Sequence, residues 1–233
     1  MNSSELRGYL TGLILGDGFI GSGVRARSFS IKSIDYSFIE KIKEDLGSCS
    51  NFKMSVRNIP ECNTGNTRHK EAWELYVKAH PYFSKKYHYF YDDTRKRVIT
   101  KEVIEWLTPR GLANWYMCDG YVCHVGKSKG KIINRRIDFC TDRYKKYDVE
   151  KIRDGLFKKF NIDCSIVKRG TQYRIRVLQK SYNDFVKLIY PYIIPSFRYK
   201  LDLGYPYKPY WMEDEVWDIQ KEIVECNHLH NGE

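Results

Sequence analysis

Residues 6–20 read LRGYLTGLILGDGFI, an apolar stretch with one helical stripe stripped of side chains. Gly8, Gly12 and Gly16 recur every four residues and so fall on one face of a helix. Glycine inside a helix costs about 1 kcal/mol relative to alanine, so three of them are sustained only if another backbone packs against the bare stripe. Asp17 is expected in the last turn, where the macrodipole is negative and disfavours a carboxylate. Gly18 is expected as the left-handed C-cap. An acid set against the dipole requires a cation.

A partner for the stripe lies in the second half of the chain, where residues 112–120 read LANWYMCDG and again end in Asp-Gly. Thr108 is suited to cap this helix and Pro109 to its first turn. Two such helices packed side by side with the same sense bring Asp17 and Asp119 together at one end. Two converging carboxylates make a candidate divalent-metal site.

Both stretches resemble the LAGLIDADG signature, as LTGLILGDG and LANWYMCDG, and two copies at this spacing resemble a single-chain LAGLIDADG homing endonuclease. Asn114 and Cys118 stand where the first copy has Gly12 and Gly16, so the helix crossing is expected to be asymmetric. The resemblance implies an α+β fold of two pseudo-symmetric αββαββα halves with saddle-shaped antiparallel sheets. It also implies a target of double-stranded DNA, bound by a monomer and cut across the minor groove with short 3′ overhangs.

Composition agrees with a polyanionic partner. The 233 residues carry 40 Lys plus Arg against 29 Asp plus Glu, a net charge of +11. No apolar run reaches the roughly 18 residues of a membrane span, and Glu5, Arg7 and Asp17 break the N-terminal stretch, so neither a membrane partner nor a signal peptide is expected. The seven cysteines are odd in number and scattered, which points to free thiols in a reducing, intracellular compartment and to small core residues rather than a disulfide framework or a zinc site.

Period analysis finds one unit used twice. Residues 28–32 (SFSIK) alternate as a strand, and residues 34–46 show helical spacing through Ile34, Phe38, Ile42 and Leu46. Two more strands follow, with Phe52, Met54, Val56 and then Trp73, Leu75, Val77 inward. Lys53, Ser55, Arg57 and then Glu74, Tyr76, Lys78 face outward, and residues 58–70 read as a polar hairpin loop. The second half replays this order: a strand through Ile137 and Phe139, a helix at residues 147–160, strands at 162–168 and 172–178, and a helix at 182–190. Each half is thus expected to run helix, two strands, helix, two strands, helix. The expected division is residues 1–107 for the first repeat, 108–203 for the second, and 204–233 for an acidic helical tail packed away from nucleic acid.

Cleaving a phosphodiester requires an activated water and charge neutralisation at phosphorus, which divalent cations supply. Asp17 and Asp119 are the expected ligands for Mg2+ or another divalent cation such as Mn2+. The family resemblance adds the backbone carbonyls of Gly16 and Cys118, together with two lysines in corresponding places, Lys96 and Lys200, near the reacting phosphate. Each sheet has one apolar and one cationic face, and a strand ribbon fits the roughly 12 Å wide major groove. The expected DNA contacts are Arg25, Arg27, Ser30, Lys32, Lys53, Arg57, Tyr76 and Lys78 from the first half, and Asn134, Arg136, Arg174 and Arg176 from the second. Because the two faces differ, the expected target is long and asymmetric. Two alternatives stand beside cleavage: an RNA maturase on the same fold, with an intron RNA as partner, and a non-catalytic DNA-binding protein.

Overall fold

The computed structural model describes residues 1–201 except 22, 24, 25, 65, 66, 129 and 130, with backbone alone at 63, 64, 67, 68, 124–128 and 131–135. The expected acidic tail, Arg25 and the Asn134 side chain therefore lie outside what is described.

Helix α1 (Ser3–Leu15) starts at a capping box: the Asn2 side chain accepts the Ser4 and Glu5 N–H groups, both at 3.0 Å, and Glu5 accepts the Asn2 N–H at 2.8 Å. Then come β1 (Phe19–Ile20), β2 (Phe29–Ser33), α2 (Tyr36–Gly47), β3 (Met54–Ile59), β4 (Cys62–Thr64), β5 (Thr67–His69), β6 (Ala72–Val77) and α3 (Pro81–Phe90). Helix α4 (Lys101–Trp106) leads to α5 (Pro109–Asp119), where the Thr108 hydroxyl accepts the Gly111 N–H at 3.1 Å and Pro109 opens the first turn, as expected. The second half continues with β7 (Gly120–Ser128), β8 (Lys131–Phe139), α6 (Lys146–Phe160), β9 (Cys164–Arg169), β10 (Gln172–Val177) and α7 (Tyr182–Ile189), ending in a 3₁₀ segment, Pro195–Leu201.

The two halves build the same sheet. Strand order is β1-β2-β6-β3 in one and β7-β8-β10-β9 in the other, with antiparallel pairing throughout. Inward positions alternate with outward ones, so Phe29, Ile31, Leu75 and Val77 are buried in the first sheet. Ile137, Phe139, Ile175 and Val177 are their counterparts in the second. Helices α2 and α3 cover the first set through Phe38, Ile39, Ile42 and Phe83, and α6 and α7 cover the second through Val149, Ile152, Leu156 and Phe185. Each such side chain contributes about 1.5–3 kcal/mol on burial.

Helices α1 and α5 join the halves. A Cβ on Gly12 would lie 1.8 Å from the Gly111 carbonyl oxygen, one on Gly8 2.4 Å from Thr108 Cγ2, and one on Gly16 2.4 Å from Cys118 Cβ. These contacts advance together along both chains, so the helices run parallel with backbones nearly touching. Beside this contact Asn114 is buried and donates from Nδ2 to the Tyr9 carbonyl at 3.3 Å.

Four expectations are corrected. Gly18 is no left-handed cap: among the described residues the positive-φ glycine is Gly170, α1 ends at Leu15, and Asp17 lies beyond its last turn. Residues 58–70 are more than a loop, since β4 and β5 pair within them as a small ladder. Glu74, expected exposed, is buried because Arg57 closes over it. The cysteines are core residues only in part: the six described are free, Cys118 and Cys164 pack against the core, three more are half-buried and Cys62 is exposed.

Candidate functional site

Parallel packing of α1 and α5 carries Asp17 and Asp119 to the same end of the molecule. The two carboxylates share a cation that belongs to neither helix. Arg143, on the turn between β8 and α6, places Nη2 3.9 Å from Asp17 Oδ1 and 3.8 Å from Asp119 Oδ1, so the acids are no farther apart than those two reaches combined. Its Nη1 donates to the Gly16 carbonyl at 2.9 Å. The acids are unequal: the Asp17 side chain is 46% exposed and that of Asp119 only 9%. Burial pushes the Asp119 carboxyl up to about 6, with Asp17 adding to the rise while Arg143 and the Trp115 indole oppose it. Trp115 Nε1 donates to Asp119 Oδ2 at 3.3 Å.

The donors in this arrangement are of the kind that suits a divalent cation. Two carboxylates and a backbone carbonyl are hard oxygen donors, and a guanidinium already stands among them in the place of a positive ion. Among the described residues no group of three or more His, Cys, Asp or Glu side chains is placed to hold a metal by itself. A pair of acids completed by substrate phosphates and water is the mode magnesium favours. The Cys118 thiol, held well above its usual range chiefly by burial, packs against Gly16 and is no thiolate ligand.

Basic and phenolic side chains close the ends of both helices. Arg97 donates to the carbonyls of Ile14, Gly16 and Gly18, and the Tyr144 hydroxyl donates to Leu15 at 3.1 Å. Of the orphan carbonyls at the C-terminus of α1, those of Gly12 and Leu13 accept the Gly16 and Gly18 N–H groups, at 3.2 and 2.7 Å, and those of Ile14 and Leu15 are satisfied by side chains from distant sequence. At α5, Lys200 donates to the Met117 carbonyl at 2.6 Å, and Tyr116 donates to the Lys200 carbonyl at 2.6 Å. Burial lowers the Lys200 pKa, against the pull of Cys118, Asp17 and Asp119. The expected Lys200 is therefore at the centre. Lys96 is exposed, with its backbone N–H on Asp92 Oδ1 at 2.9 Å, and its neighbour Arg97 makes the contacts to the motif helix. Neither Arg97 nor Arg143 carries a sequence signal, because their contacts with Gly16 span 81 and 127 residues.

From Asp17 a cleft of about 520 Å³, lined also by Phe19, Ser30, Ile31, Lys32 and Glu74, opens onto the outward face of the first sheet. Ser30 pairs with Tyr76 there, and Lys32, Glu74 and Arg57 form the next row, with Arg57 Nε donating to Glu74 Oε2 at 2.5 Å. Lys53 and Lys78 are exposed at adjacent positions, joined by the Lys78 N–H to the Lys53 carbonyl at 2.9 Å. Arg27 folds back instead, its guanidinium 3.4 Å from the centre of the Tyr87 ring and donating to the Gly21 carbonyl at 3.2 Å. On the second sheet Arg174 forks onto Asp142, while Arg176 and Arg136 converge on a buried acid, Asp138, that sequence reasoning did not single out.

Known proteins place this architecture. The family model described as "LAGLIDADG DNA endonuclease family" matches residues 7–185. The "Probable intron-encoded endonuclease 1" of Wickerhamomyces canadensis is 34% identical over 130 residues, covering 56% of this chain and 55% of that protein. The "Cytochrome b mRNA maturase bI2" of Saccharomyces cerevisiae is 37% identical over 108 residues, covering 45% of this chain and 23% of that one. The chain thus matches about half or less of the length of these curated relatives. Among solved structures, "The homing endonuclease I-WcaI bound to its DNA recognition sequence" matches with a TM-score of 0.71 at 28% identity, covering 85% of this chain and 86% of the other. Among the described residues no helix is long and apolar enough to cross a membrane. A family match over most of its length, on a fold of two like halves joined at paired motif helices, establishes that this chain belongs to the LAGLIDADG DNA endonuclease family.

Proposed function

We propose that the chain is a site-specific double-strand DNA homing endonuclease that hydrolyses phosphodiesters with a divalent cation. The observation that carries this reading is the convergence of Asp17 and Asp119, one from each half, on the shared cation Arg143, with Asp17 at the edge of a cleft that opens onto the outward face of the first sheet. Asp17, Asp119 and the carbonyls of Gly16 and Cys118 would hold Mg2+ or Mn2+. When bound, the ion supplies Lewis acidity toward water and phosphodiester. Lys200, held by its hydrogen bond to the Met117 carbonyl, holds a positive charge against the reacting phosphate, and Arg97 does so from the side of the first helix. Arg143 is placed to exchange its carboxylates for a phosphate oxygen, keeping the site neutral when DNA arrives.

The outward faces of the two sheets supply the DNA contacts, with residues 1–107 and 108–203 as the two repeats. Since one chain provides both acids, the active species is a monomer. Its side chains differ between the sheets, so the target is asymmetric, and the family resemblance adds minor-groove cleavage with short 3′ overhangs. Among the described residues the six cysteines are free, which fits a reducing compartment. A maturase role has one observation in its favour, the relative named as a cytochrome b mRNA maturase.

The test is magnesium-dependent cleavage of a plasmid library carrying randomised targets, with Asp17→Asn and Asp119→Asn in parallel. Wild-type protein linearises a subset of plasmids; each variant binds the same sequences and cuts at least about a hundredfold more slowly. Cleavage at the normal rate by either variant removes that acid from the ligand set. Failure of the wild-type chain to cut, with sequence-selective binding intact, favours the non-catalytic reading, and binding of intron RNA alone favours the maturase.

A further inference from the structure

Asp138 is a buried carboxylate on the outward side of β8, between Ile137 and Phe139, which point into the core. A carboxylate withdrawn from water costs several kcal/mol unless fully partnered. Its partners come from the strands on either side. Tyr121, directly opposite on β7, donates its hydroxyl to Oδ2 at 3.3 Å. Arg176, directly opposite on β10, donates from Nε to Oδ1 at 2.8 Å and from Nη2 to Oδ2 at 3.0 Å. Arg136 stands by with Nε 3.7 Å from Oδ1.

The fork uses one edge of the Arg176 guanidinium. The other edge, Nη1 with the second N–H of Nη2, belongs to a side chain still 22% exposed, and its two parallel donors match the O6 and N7 acceptors of guanine in the major groove. Arg174 differs. With Nε and Nη2 on Asp142 and Nη1 on the Tyr121 hydroxyl at 3.1 Å, all three of its nitrogens are engaged within the protein. Charge also separates base from phosphate as the ligand: a carboxylate bound to the guanidinium repels a phosphate but leaves a neutral base edge attractive. On the first sheet Arg57 meets Glu74 in the same way, but its side chain is 69% exposed and correspondingly less fixed.

We infer that Asp138 is a positioning residue that holds Arg176 as a preformed guanine reader, so that the half-site facing the second sheet carries a guanine at that position. The inference rests on the proposed contact of these outward faces with DNA. Fixing the guanidinium before binding removes part of the ordering cost that a free arginine meets at the interface.

The experiment selects duplexes from a randomised pool with the whole chain, comparing wild type, Asp138→Asn and Arg176→Lys, each checked by thermal melting. Wild type prefers guanine at one position of one half-site by about tenfold to a hundredfold. Both variants lose that preference at that position alone and keep the others. Arg176→Lys retains the positive charge beside Asp138 and removes only the fork, so it decides the matter even where Asp138→Asn does not fold. A guanine preference that survives Arg176→Lys, or a uniform loss across all positions in variants that melt like wild type, overturns the inference while leaving the DNA-binding reading intact. Selection of no sequence at all by the wild type overturns both.

Discussion

Asp119 holds its proton more tightly in the folded chain than in the unfolded one, because burial moves its pKa from 3.8 to about 6. Its contribution to stability is therefore complete below about pH 4 and is lost as pH rises through about 6. Above that the fold carries an ionised, nearly buried acid at a cost of about 2–3 kcal/mol. Asp119→Asn should accordingly stabilise the metal-free protein by that amount at pH 8 and hardly at all at pH 4, measured by urea unfolding at both values. A gain independent of pH would exclude charge burial as its source. Arg143 makes the matching prediction from the other side. Arg143→Met removes the cation between the facing acids, so the metal-free variant melts lower at pH 8, by about 1–3 kcal/mol of stability. Calcium ion should then raise its melting temperature more than that of the natural protein; equal shifts would show that Arg143 and the ion do not compete for one place.

At the scale of elements, the glycine stripe makes the sharpest statement about packing. Gly12 faces the Gly111 backbone so closely that neither side has a flexible atom to move. Gly12→Ala should push α1 and α5 apart, cost about 3 kcal/mol, and abolish cleavage by separating the acids. Gly47→Ala is the control: its Cβ would find only Met54 Cε at 3.7 Å, and stability should hold or rise by up to about 1 kcal/mol. Chemical denaturation of both variants checks the pair, and equal losses would contradict the close crossing. This crossing was legible in the sequence because a helix cannot carry three aligned glycines without a reason. The repeated order of strands and helices was legible for a similar reason, since Ile137, Phe139, Ile175 and Val177 keep the period that a sheet with one buried face imposes. What lay beyond reach was contact across the halves. Arg97, Arg143 and Tyr144 close the end of α1 from residues 81 to 129 positions away, and no local pattern encodes such a cap. Glu74 was expected exposed and Asp138 was not singled out, because an acid on an outward strand position looks solvated until its cross-strand arginines are in place.

For the molecule as a whole, under the proposed DNA-binding function the excess of eleven positive charges sets how strongly it holds any duplex, while internal pairing sets how selectively. If the outward faces neutralise about 6–10 phosphates, affinity for random DNA should fall by about 10³–10⁵ between 50 and 200 mM salt. The second sheet, however, spends part of its charge internally. Arg174 is bound at both ends of its fork by Asp142, at 2.8 and 2.5 Å, and Arg176 by Asp138. Freeing one of these arginines trades selectivity for general affinity. Asp142→Asn leaves Arg174 charged and without a carboxylate, so it becomes available to a phosphate. Binding to random-sequence duplex should strengthen, and the slope of log affinity against log salt should steepen by about one unit. The ratio of specific to non-specific binding should then fall, because the added contact is made on every sequence alike. Fluorescence anisotropy titrations at four salt concentrations, with a selected and a scrambled duplex, would measure both quantities. An unchanged slope would mean that Arg174 never reaches the DNA backbone and that its pairing with Asp142 serves only to fix the turn that carries Arg143 between the two acids.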